Sequence, residues 1–133
     1  MKTAADVMTR DVVSIHADAT VAEAMQLMYD KRVSSLLVEP LSDLDTHGFV
    51  SRRDIVEKVV AQGRQPEDCR VTDIMSKPLV TVPPDCALQD CAILMSRTSI
   101  RRVLVFDGRK IVGIVSNTDI LKAASEGESP DTP

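Results

Sequence analysis

The sequence carries the same pattern twice, and this duplication restricts the chain to folds built from two similar units. The stretch GFVSRRDI at 48–55 returns as GIVSNTDI at 113–120. In each copy an apolar run ends in Ser and an Asp follows three residues later, which is typical of a strand that leads into a helix capped by that Ser. Four further blocks match at a separation of 67 residues, among them Asp6-Val7-Met8 with Asp73-Ile74-Met75. Five blocks in the same order indicate a duplicated unit of about 60 residues.

Composition argues against several classes of function. The net charge is −4 and no block of Lys or Arg occurs, so a nucleic-acid surface is not expected. Aromatic residues make up only 2% of the chain, so we do not expect a ligand to stack between rings. No apolar run approaches the roughly 20 residues that span a bilayer, and the N-terminus lacks a signal-peptide pattern. Three cysteines, an odd number, suit the reducing cytosol better than a disulfide framework, so we expect a cytoplasmic protein without a membrane segment.

The pattern within each copy predicts strand, helix, strand, strand, helix, which is an α+β fold. In the first copy the runs 11–15 and 33–38 are predicted strands, the second of them apolar enough to be covered on both faces. Thr20 and Glu23 form a capping box at the start of the intervening helix. The strand at 48–50 then leads into the last helix. Two buried stripes are predicted on these helices, made up of Val21, Ala24, Met25 and Met28, and of Ile55, Val56, Val59 and Val60.

The second copy departs from this plan at two points. Ala87 replaces the capping Thr20, so the helix start is less well capped unless Asp85 takes over. Asp107-Gly108 predicts a tight turn, which accounts for a loop two residues shorter than in the first copy.

The predicted domain boundaries follow from these blocks. The first repeat covers residues 1–61, a linker covers 62–69, and the second repeat covers 70–124. Residues 125–133 are small, acidic and proline-bearing, and we expect a disordered tail there.

These motifs resemble a tandem pair of CBS domains, named for the C-terminal region of cystathionine β-synthase and often called a Bateman module. The resemblance covers about residues 4–122, and it rests on five motifs that occur twice in the family's order. It implies two sheets packed face to face about a pseudo-two-fold axis, with two clefts between the repeats. In similar modules these clefts bind adenosine compounds such as AMP, ADP, ATP, S-adenosylmethionine or NAD-type dinucleotides. It also implies a homodimer. Because no effector domain is present here, we expect a stand-alone regulator that acts either on a separate effector protein or by simple ligand buffering.

The two Ser–Asp motifs are the candidate ligand-binding residues. A helix N-terminus suits a phosphate, and the hydroxyl of Ser51 or Ser116 could add a donor there. Asp54 or Asp119, one turn later, could accept hydrogen bonds from the two hydroxyls of a ribose. The alternative is that these residues only cap their helices, and the two roles can coexist.

The two clefts are expected to be unequal. By resemblance, the Asp of one repeat shares its ligand with residues that open the first long strand of the other repeat. Arg101 and Arg102 open that strand in the second copy, so they would join Asp54 and offer phosphate-binding forks, with Arg53 as a further candidate. Ser34-Ser35 open it in the first copy, so the cleft of Asp119 should bind more weakly, prefer a less charged ligand or stay empty.

The resemblance places the base near the apolar entry of each unit. The predicted walls are Val13 with Val33 and Val80 with Ile100, together with the neighbouring Val12 and Leu79. These contacts depend on backbone and shape, so the adenine itself is implied by the family alone.

No arrangement of residues predicts catalysis or a metal site. Cys86 and Cys91 are five apart with Cys69 distant, and neither His16 nor His47 recurs in the repeat or neighbours a Ser–Asp motif. We therefore expect no enzyme. The main hypothesis is a regulatory nucleotide-binding module, and the alternative is an assembly scaffold whose clefts bind no ligand.

Overall fold

A computed structural model describes residues 2–10, 12–77 and 80–126. It confirms the α+β class and the predicted order of elements in both copies. A short helix, α1 (Ala4–Val7), opens the first copy. That copy contains β1 (Ser14–Ile15), α2 (Val21–Lys31), β2 (Ser35–Val38), β3 (Gly48–Ser51) and α3 (Arg52–Ile55), which continues as a π-helical turn over Val56–Val60. Two 3₁₀ turns, Pro66–Asp68 and Val71–Asp73, lead to the second copy, with β4 (Thr81–Val82), α4 (Leu88–Thr98), β5 (Arg102–Phe106), β6 (Ile111–Ser116) and α5 (Asn117–Ser125).

Each copy forms a three-stranded mixed sheet. The long strand lies in the centre, parallel to the short first strand and antiparallel to the third, in the orders β1-β2-β3 and β4-β5-β6. The apolar runs Leu36–Val38 and Val103–Val105 lie on these central strands and are buried throughout. The prediction that the run at 33–38 forms a strand covered on both faces is therefore confirmed for its last three residues.

The described chain divides into two compact units. The first unit holds residues 13–77, and the second holds residues 2–12 with 80–126, within the described ranges. Each unit has its own cluster of buried apolar side chains. A unit therefore differs from a sequence copy, because each unit contains the sheet of one copy and the opening segment of the other.

The opening segments are attached through backbone pairing at the end of each Asp-x-Met motif. Ser76 exchanges two hydrogen bonds with Phe49 on β3, at 2.8 and 3.1 Å. Thr9 does the same with Ile114 on β6, at 2.9 and 3.0 Å. The Met of each motif lies against a glycine of the same strand, Met75 against Gly48 and Met8 against Gly113. A side chain at either glycine would occupy the space of the Met.

The predicted helix and turn signals are found where they were expected. Thr20 accepts a hydrogen bond from Glu23 N at 3.1 Å, and Glu23 Oε1 accepts one from Thr20 N at 2.8 Å. Helix α4 begins after Ala87, whose methyl group cannot cap it. The turn between β5 and β6 has Gly108 at φ +99°, and the carboxylate of Asp107 accepts hydrogen bonds from Arg109 N at 2.8 Å and Lys110 N at 2.9 Å.

Two predicted buried stripes need correction. Met25 is 40% exposed, and Val56 and Val60 are more than half exposed, while Ile55 and Val59 are buried. Ile55 and Val59 lie on the buried side of this segment, and Val56 and Val60, each one residue later, lie on its exposed side, so the buried stripe is narrower than predicted.

The last helix ends close to the predicted end of the second repeat. Helix α5 reaches Ser125, one residue past that boundary. Residues 127–133 of the predicted tail lie outside the described residues, as do Asp11 of the first predicted strand and Leu79 of the predicted base-binding wall.

Candidate ligand-binding site

The Ser51–Asp54 motif is a closed capping arrangement at the start of α3. Asp54 Oδ2 accepts hydrogen bonds from Ser51 N at 2.8 Å and from Ser51 Oγ at 3.0 Å. Ser51 Oγ in turn accepts one from Asp54 N at 3.2 Å. The single hydroxyl proton of the buried Ser51 is therefore used inside the motif, and it is not available to a phosphate in this geometry.

The first backbone N–H groups of α3 and α5 also have hydrogen-bond acceptors within the protein. Arg52 N donates to Ser34 O, and Asn117 N donates to Arg101 O, both at 2.9 Å. Because the third N–H is already bonded to the Ser hydroxyl, fewer donors remain for an anion than a bare helix N-terminus offers. The motif is thus better suited to accept hydrogen bonds than to bind a phosphate by itself.

The Ser116–Asp119 motif repeats the capping geometry at α5. Asp119 Oδ2 accepts hydrogen bonds from Ser116 N at 2.8 Å and from Ser116 Oγ at 3.0 Å. The other oxygen, Oδ1, has no hydrogen-bond partner among the residues that the structure describes. This carboxylate is held in place by one oxygen and offers the other.

The equivalent oxygen in the first copy is shared with a lysine. Lys58 Nζ lies 3.3 Å from Asp54 Oδ1 and also donates to Ile74 O at 2.9 Å. The Asp54 side chain is only 17% exposed. The position that corresponds to Lys58 in the second copy is the buried Ala123. The sequence analysis did not predict a role for Lys58, although a Lys four residues after an Asp on a helix often forms an ion pair with it.

The arginines are distributed over both motifs. Arg53 is paired with the exposed Glu57, with 2.7 Å between Nε and Oε2. Arg102 lies opposite Ser116 in the β5–β6 register, and Arg101 is exposed beside it. In the first unit, Ser35 lies opposite Ser51 in the same way. The predicted pairing of Asp54 with Arg101 and Arg102 involves residues of different units and stays a prediction.

The predicted apolar walls occupy equivalent positions in the two units. Val13 and Val33 are half-buried against the cluster of the first unit, and Val80 and Ile100 against that of the second. Val13 O and Val80 O accept hydrogen bonds from the central strands, from Leu37 N and Leu104 N respectively. These side chains are therefore fixed at the edge of each sheet.

A family model of the CBS domain matches residues 4–61 and 71–126. The chain belongs to the CBS-domain family. CBS domains in small proteins of this kind act as regulatory modules.

Similar CBS proteins come from distant organisms. An uncharacterised protein of Methanopyrus kandleri is 35% identical over 118 residues, which span 88% of this chain and 60% of that protein. The CBS domain-containing protein YhcV of Bacillus subtilis is 33% identical over 97% of this chain and 90% of its own length. The solved structure of a hexameric CBS-CP12 protein from bloom-forming cyanobacteria is 42% identical, covers 98% of this chain and 75% of that one, and has a TM-score of 0.88.

Each CBS unit also has an open groove beside its Ser–Asp motif. The first groove has a volume of about 960 Å³, and its walls include Met25, Tyr29, Arg32, Arg52, Val56 and Val60. The second groove, about 630 Å³, is lined by small or polar side chains such as Ala92, Ser96 and Asn117 and also by the large apolar Met95, Ile120 and Leu121. Tyr29 is 81% exposed, so the first groove presents a large apolar surface.

Within residues 2–10, 12–77 and 80–126, no group of three or more His, Cys, Asp or Glu side chains is placed to hold a metal ion. No helix in these ranges is long and apolar enough to cross a membrane.

Proposed function

We propose that this CBS pair is a regulatory module that senses adenosine nucleotides through its Ser–Asp motifs. The observation that carries the proposal is the carboxylate of Asp119, which is oriented by two hydrogen bonds from Ser116 and whose Oδ1 has no hydrogen-bond partner in the described part of the chain. A ribose presents two adjacent hydroxyl donors, and a carboxylate is the side chain that accepts both. Because the Asp is already oriented, little conformational freedom is lost when the ligand binds.

The remaining parts of the nucleotide are assigned to residues of matching chemistry. The guanidinium groups of Arg101 and Arg102 would bind phosphate oxygens, which they can do in a bidentate manner. Arg53 would contribute only after releasing Glu57. The base would lie near the apolar entry of a unit, against Val13 and Val33 in the first unit or against Val80 and Ile100 in the second.

The two motifs should differ in ligand preference. By the predicted pairing, Arg101 and Arg102 would bring positive charge to Asp54, so we expect AMP, ADP or ATP to depend on Asp54. The open carboxylate of Asp119 should favour a less charged or cationic adenosine compound such as S-adenosylmethionine. NAD-type dinucleotides are the further candidate.

Thermal unfolding with each compound tests the proposal. A ligand at about 100 times its Kd stabilises the folded state by roughly 2.7 kcal/mol, which shifts the Tm by several degrees. Asp54→Asn and Asp119→Asn are the informative variants, because Asn keeps an oxygen for the cap and loses the charge. We expect each variant to lose the shift with its own class of ligand.

Asp73→Asn is the matched control. Asp73 caps Arg70 N at 2.9 Å with the same spacing of three residues, but it has no proposed ligand role. Its variant should keep every ligand-induced shift. The nucleotide proposal fails if no compound at millimolar concentration shifts the Tm of the folded protein, or if all three variants lose the shift equally.

Regulation would act through self-association or through a separate effector protein in the cytoplasm. All three cysteines lie in the described residues and are free, which suits a reducing compartment. We propose that a second copy of the chain covers the first groove, so that the working unit is a homodimer or a larger assembly. The exposed Tyr29, Val56 and Val60 support this proposal, and so does the hexameric state of the CBS-CP12 relative. A ligand would shift such an assembly only by its difference in affinity for the two states.

The second candidate function is a scaffold that assembles without a ligand, and the first groove is the observation in its favour. Light scattering with the wild-type chain and with Tyr29→Glu tests the groove, since a buried charge should dissociate the assembly. A scaffold predicts the same mass in Asp54→Asn and Asp119→Asn, with and without nucleotide. A regulatory module predicts that a bound nucleotide changes the mass or the binding of an effector, and that the variants abolish this change.

A further inference from the structure

Two cysteines contact each other at the start of α4. Cys91 Sγ donates to Cys86 Sγ at 3.5 Å. Cys91 is fully buried in the cluster of the second unit, and Cys86 is half-buried at its edge. Both are free thiols, and the third cysteine, Cys69, is buried in the first unit.

The positions of these two thiols relative to the helix are informative. Ala87 is the N-cap of α4, so Cys86 is the residue before the cap and Cys91 is the fourth residue of the helix. Apolar side chains at these two positions often pack together and fix how the chain enters a helix, an arrangement called a hydrophobic staple. The counterparts in the first copy are Ala19 and Ala24, beside the cap that Thr20 provides. The second copy thus has a pair of thiols where it lacks a capping side chain.

We propose that Cys86 and Cys91 form an oxidation site, at which a low-molecular-weight disulfide converts the two thiols into a disulfide that closes the start of α4 covalently. A disulfide bond is about 2.05 Å long, so the two sulfurs must approach by about 1.5 Å. The two residues flank a single helix start, so rotation of the side chains can supply much of this movement.

The two cysteines take different parts in the exchange. The Cys86 thiolate attacks one sulfur of the small disulfide, forms a mixed disulfide and releases one small thiolate, which takes up a proton. Cys91, after losing its proton to solvent, attacks Cys86 Sγ and releases the second small thiolate. In total, two protein thiols and one small disulfide become one protein disulfide and two small thiols.

The order of these steps follows from exposure. Cys86 is accessible, whereas burial and the contact with Cys86 raise the pKa of Cys91 to about 12. Cys91 is therefore mostly a thiol and reacts second, because the thiolate is the reactive form. Its small thiolate fraction attacks only after Cys86 carries the mixed disulfide.

The site also lies where the chain's opening segment is attached. Cys86 O accepts a hydrogen bond from Ala4 N at 2.9 Å, and Leu88 N donates to Lys2 O at 3.1 Å. A disulfide across the helix start would restrict the segment that holds α1. We expect the oxidised protein to unfold at a temperature a few degrees higher than the reduced protein, because the cross-link restricts the unfolded chain.

Mass spectrometry after incubation with oxidised glutathione tests the proposal. Samples are quenched with acid, unfolded and alkylated, and the modified peptides are identified. The expected product has lost two hydrogens, is not alkylated at Cys86 or Cys91, and is alkylated at Cys69. Cys91→Ala, which copies Ala24 of the first copy, should stop at one bound glutathione on Cys86, and Cys69→Ala should behave like the wild type.

Three results would overturn the proposal. The first is a wild-type protein that keeps glutathione on Cys86 without forming the internal disulfide. The second is alkylation of Cys86 and Cys91 to the same extent with and without excess oxidised glutathione. The third is an internal disulfide that involves Cys69. Each of these is read from the wild-type chain, so none depends on the folding of a variant.

Discussion

The Ser–Asp motifs of the two copies have the same hydrogen bonds but different neighbours one turn later. In the first copy, Lys58 shares Asp54 Oδ1 and also reaches the carbonyl of Ile74. In the second copy, the corresponding Ala123 is buried, and Asp119 Oδ1 has no hydrogen-bond partner among the described residues. The two caps are therefore alike, and the surroundings of the two carboxylates differ through one side chain on the following turn.

The contacts between methionine and glycine give the largest expected difference between the copies. A Cβ at Gly113 would meet the Sδ of Met8 and would lie 2.7 Å from its Cγ and 3.0 Å from its Cβ. A Cβ at Gly48 would meet the Sδ of Met75 and lie 3.2 Å from its Cγ. The end of a Met side chain can move, but its Cβ moves only with the backbone. We expect Gly113→Ala to lower the free energy of unfolding by about 2–3 kcal/mol and Gly48→Ala by about 1 kcal/mol.

Urea unfolding of the two variants measures this difference. Shortening the obstructing side chain supplies the control, because Met8→Ala should cost less in the Gly113→Ala background than in the wild type. Equal losses in the two glycine variants would contradict the comparison.

Local signals in the sequence predicted most of the fold. The capping box at Thr20, the uncapped Ala87 and the turn at Asp107-Gly108 each depend on residues within three positions of one another. The periodicity of the strands and helices is local in the same sense. The capping box, the uncapped helix start, the turn and the order of elements were found as predicted, whereas the buried stripes were wrong at Met25, Val56 and Val60.

Contacts between distant segments could not be predicted in this way. Nothing within the Asp-x-Met motif indicates that Met8 would lie against Gly113, since more than 100 residues separate them. The four apolar residues between 55 and 60 likewise do not indicate by themselves that Val56 and Val60 face outward. The availability of each Asp oxygen likewise depends on the fold around the motif, because Lys58 is held between Asp54 and Ile74.

The helix starts α2 and α4 give the next largest difference. Thr20→Ala should lower the free energy of unfolding by about 1 kcal/mol, because it removes the acceptor for Glu23 N. Ala87→Thr should raise it by about 0.5–1 kcal/mol, since Asp90 stands three residues later and can complete a capping box. Chemical denaturation of both variants measures the changes. A destabilising Ala87→Thr would show that the second helix start has no room for a cap.

Lys58→Met sharpens the comparison at the candidate ligand site. It keeps the apolar stem and releases Asp54 Oδ1, so Asp54 becomes like Asp119. Surface ion pairs contribute about 0.2–1 kcal/mol, and Lys58 is 45% exposed, so we expect nucleotide that depends on Asp54 to bind up to about fivefold more tightly. Titration followed by thermal unfolding measures the change, with the ligand of Asp119 as the unaffected control. Weaker binding would instead assign Lys58 to the phosphate.

The smallest expected effect concerns the loops between the second and third strands. In the long loop of the first copy, Lys77 donates a hydrogen bond to the carboxylate of Asp45. This contact is the main reason that the pKa of Asp45 falls from 3.8 to about 2. In the short turn of the second copy, the backbone N–H groups of Lys110 and Arg109 lower the pKa of Asp107. A pKa lowered by folding stabilises the protein above the unfolded value and loses that contribution as the pH falls through the folded value.

The stability difference between wild type and Asp45→Asn should therefore shrink between about pH 4 and pH 2. Salt should reduce it as well, because Lys77 and Asp45 are both charged and exposed to solvent ions. Asp107→Asn should respond less to salt, since its partners are uncharged N–H groups. Thermal unfolding over this pH range, at low and at high salt, measures both effects. A difference at Asp45 that is independent of pH would mean that the Lys77 contact does not stabilise the fold, and that the two loops are held by hydrogen bonds alone.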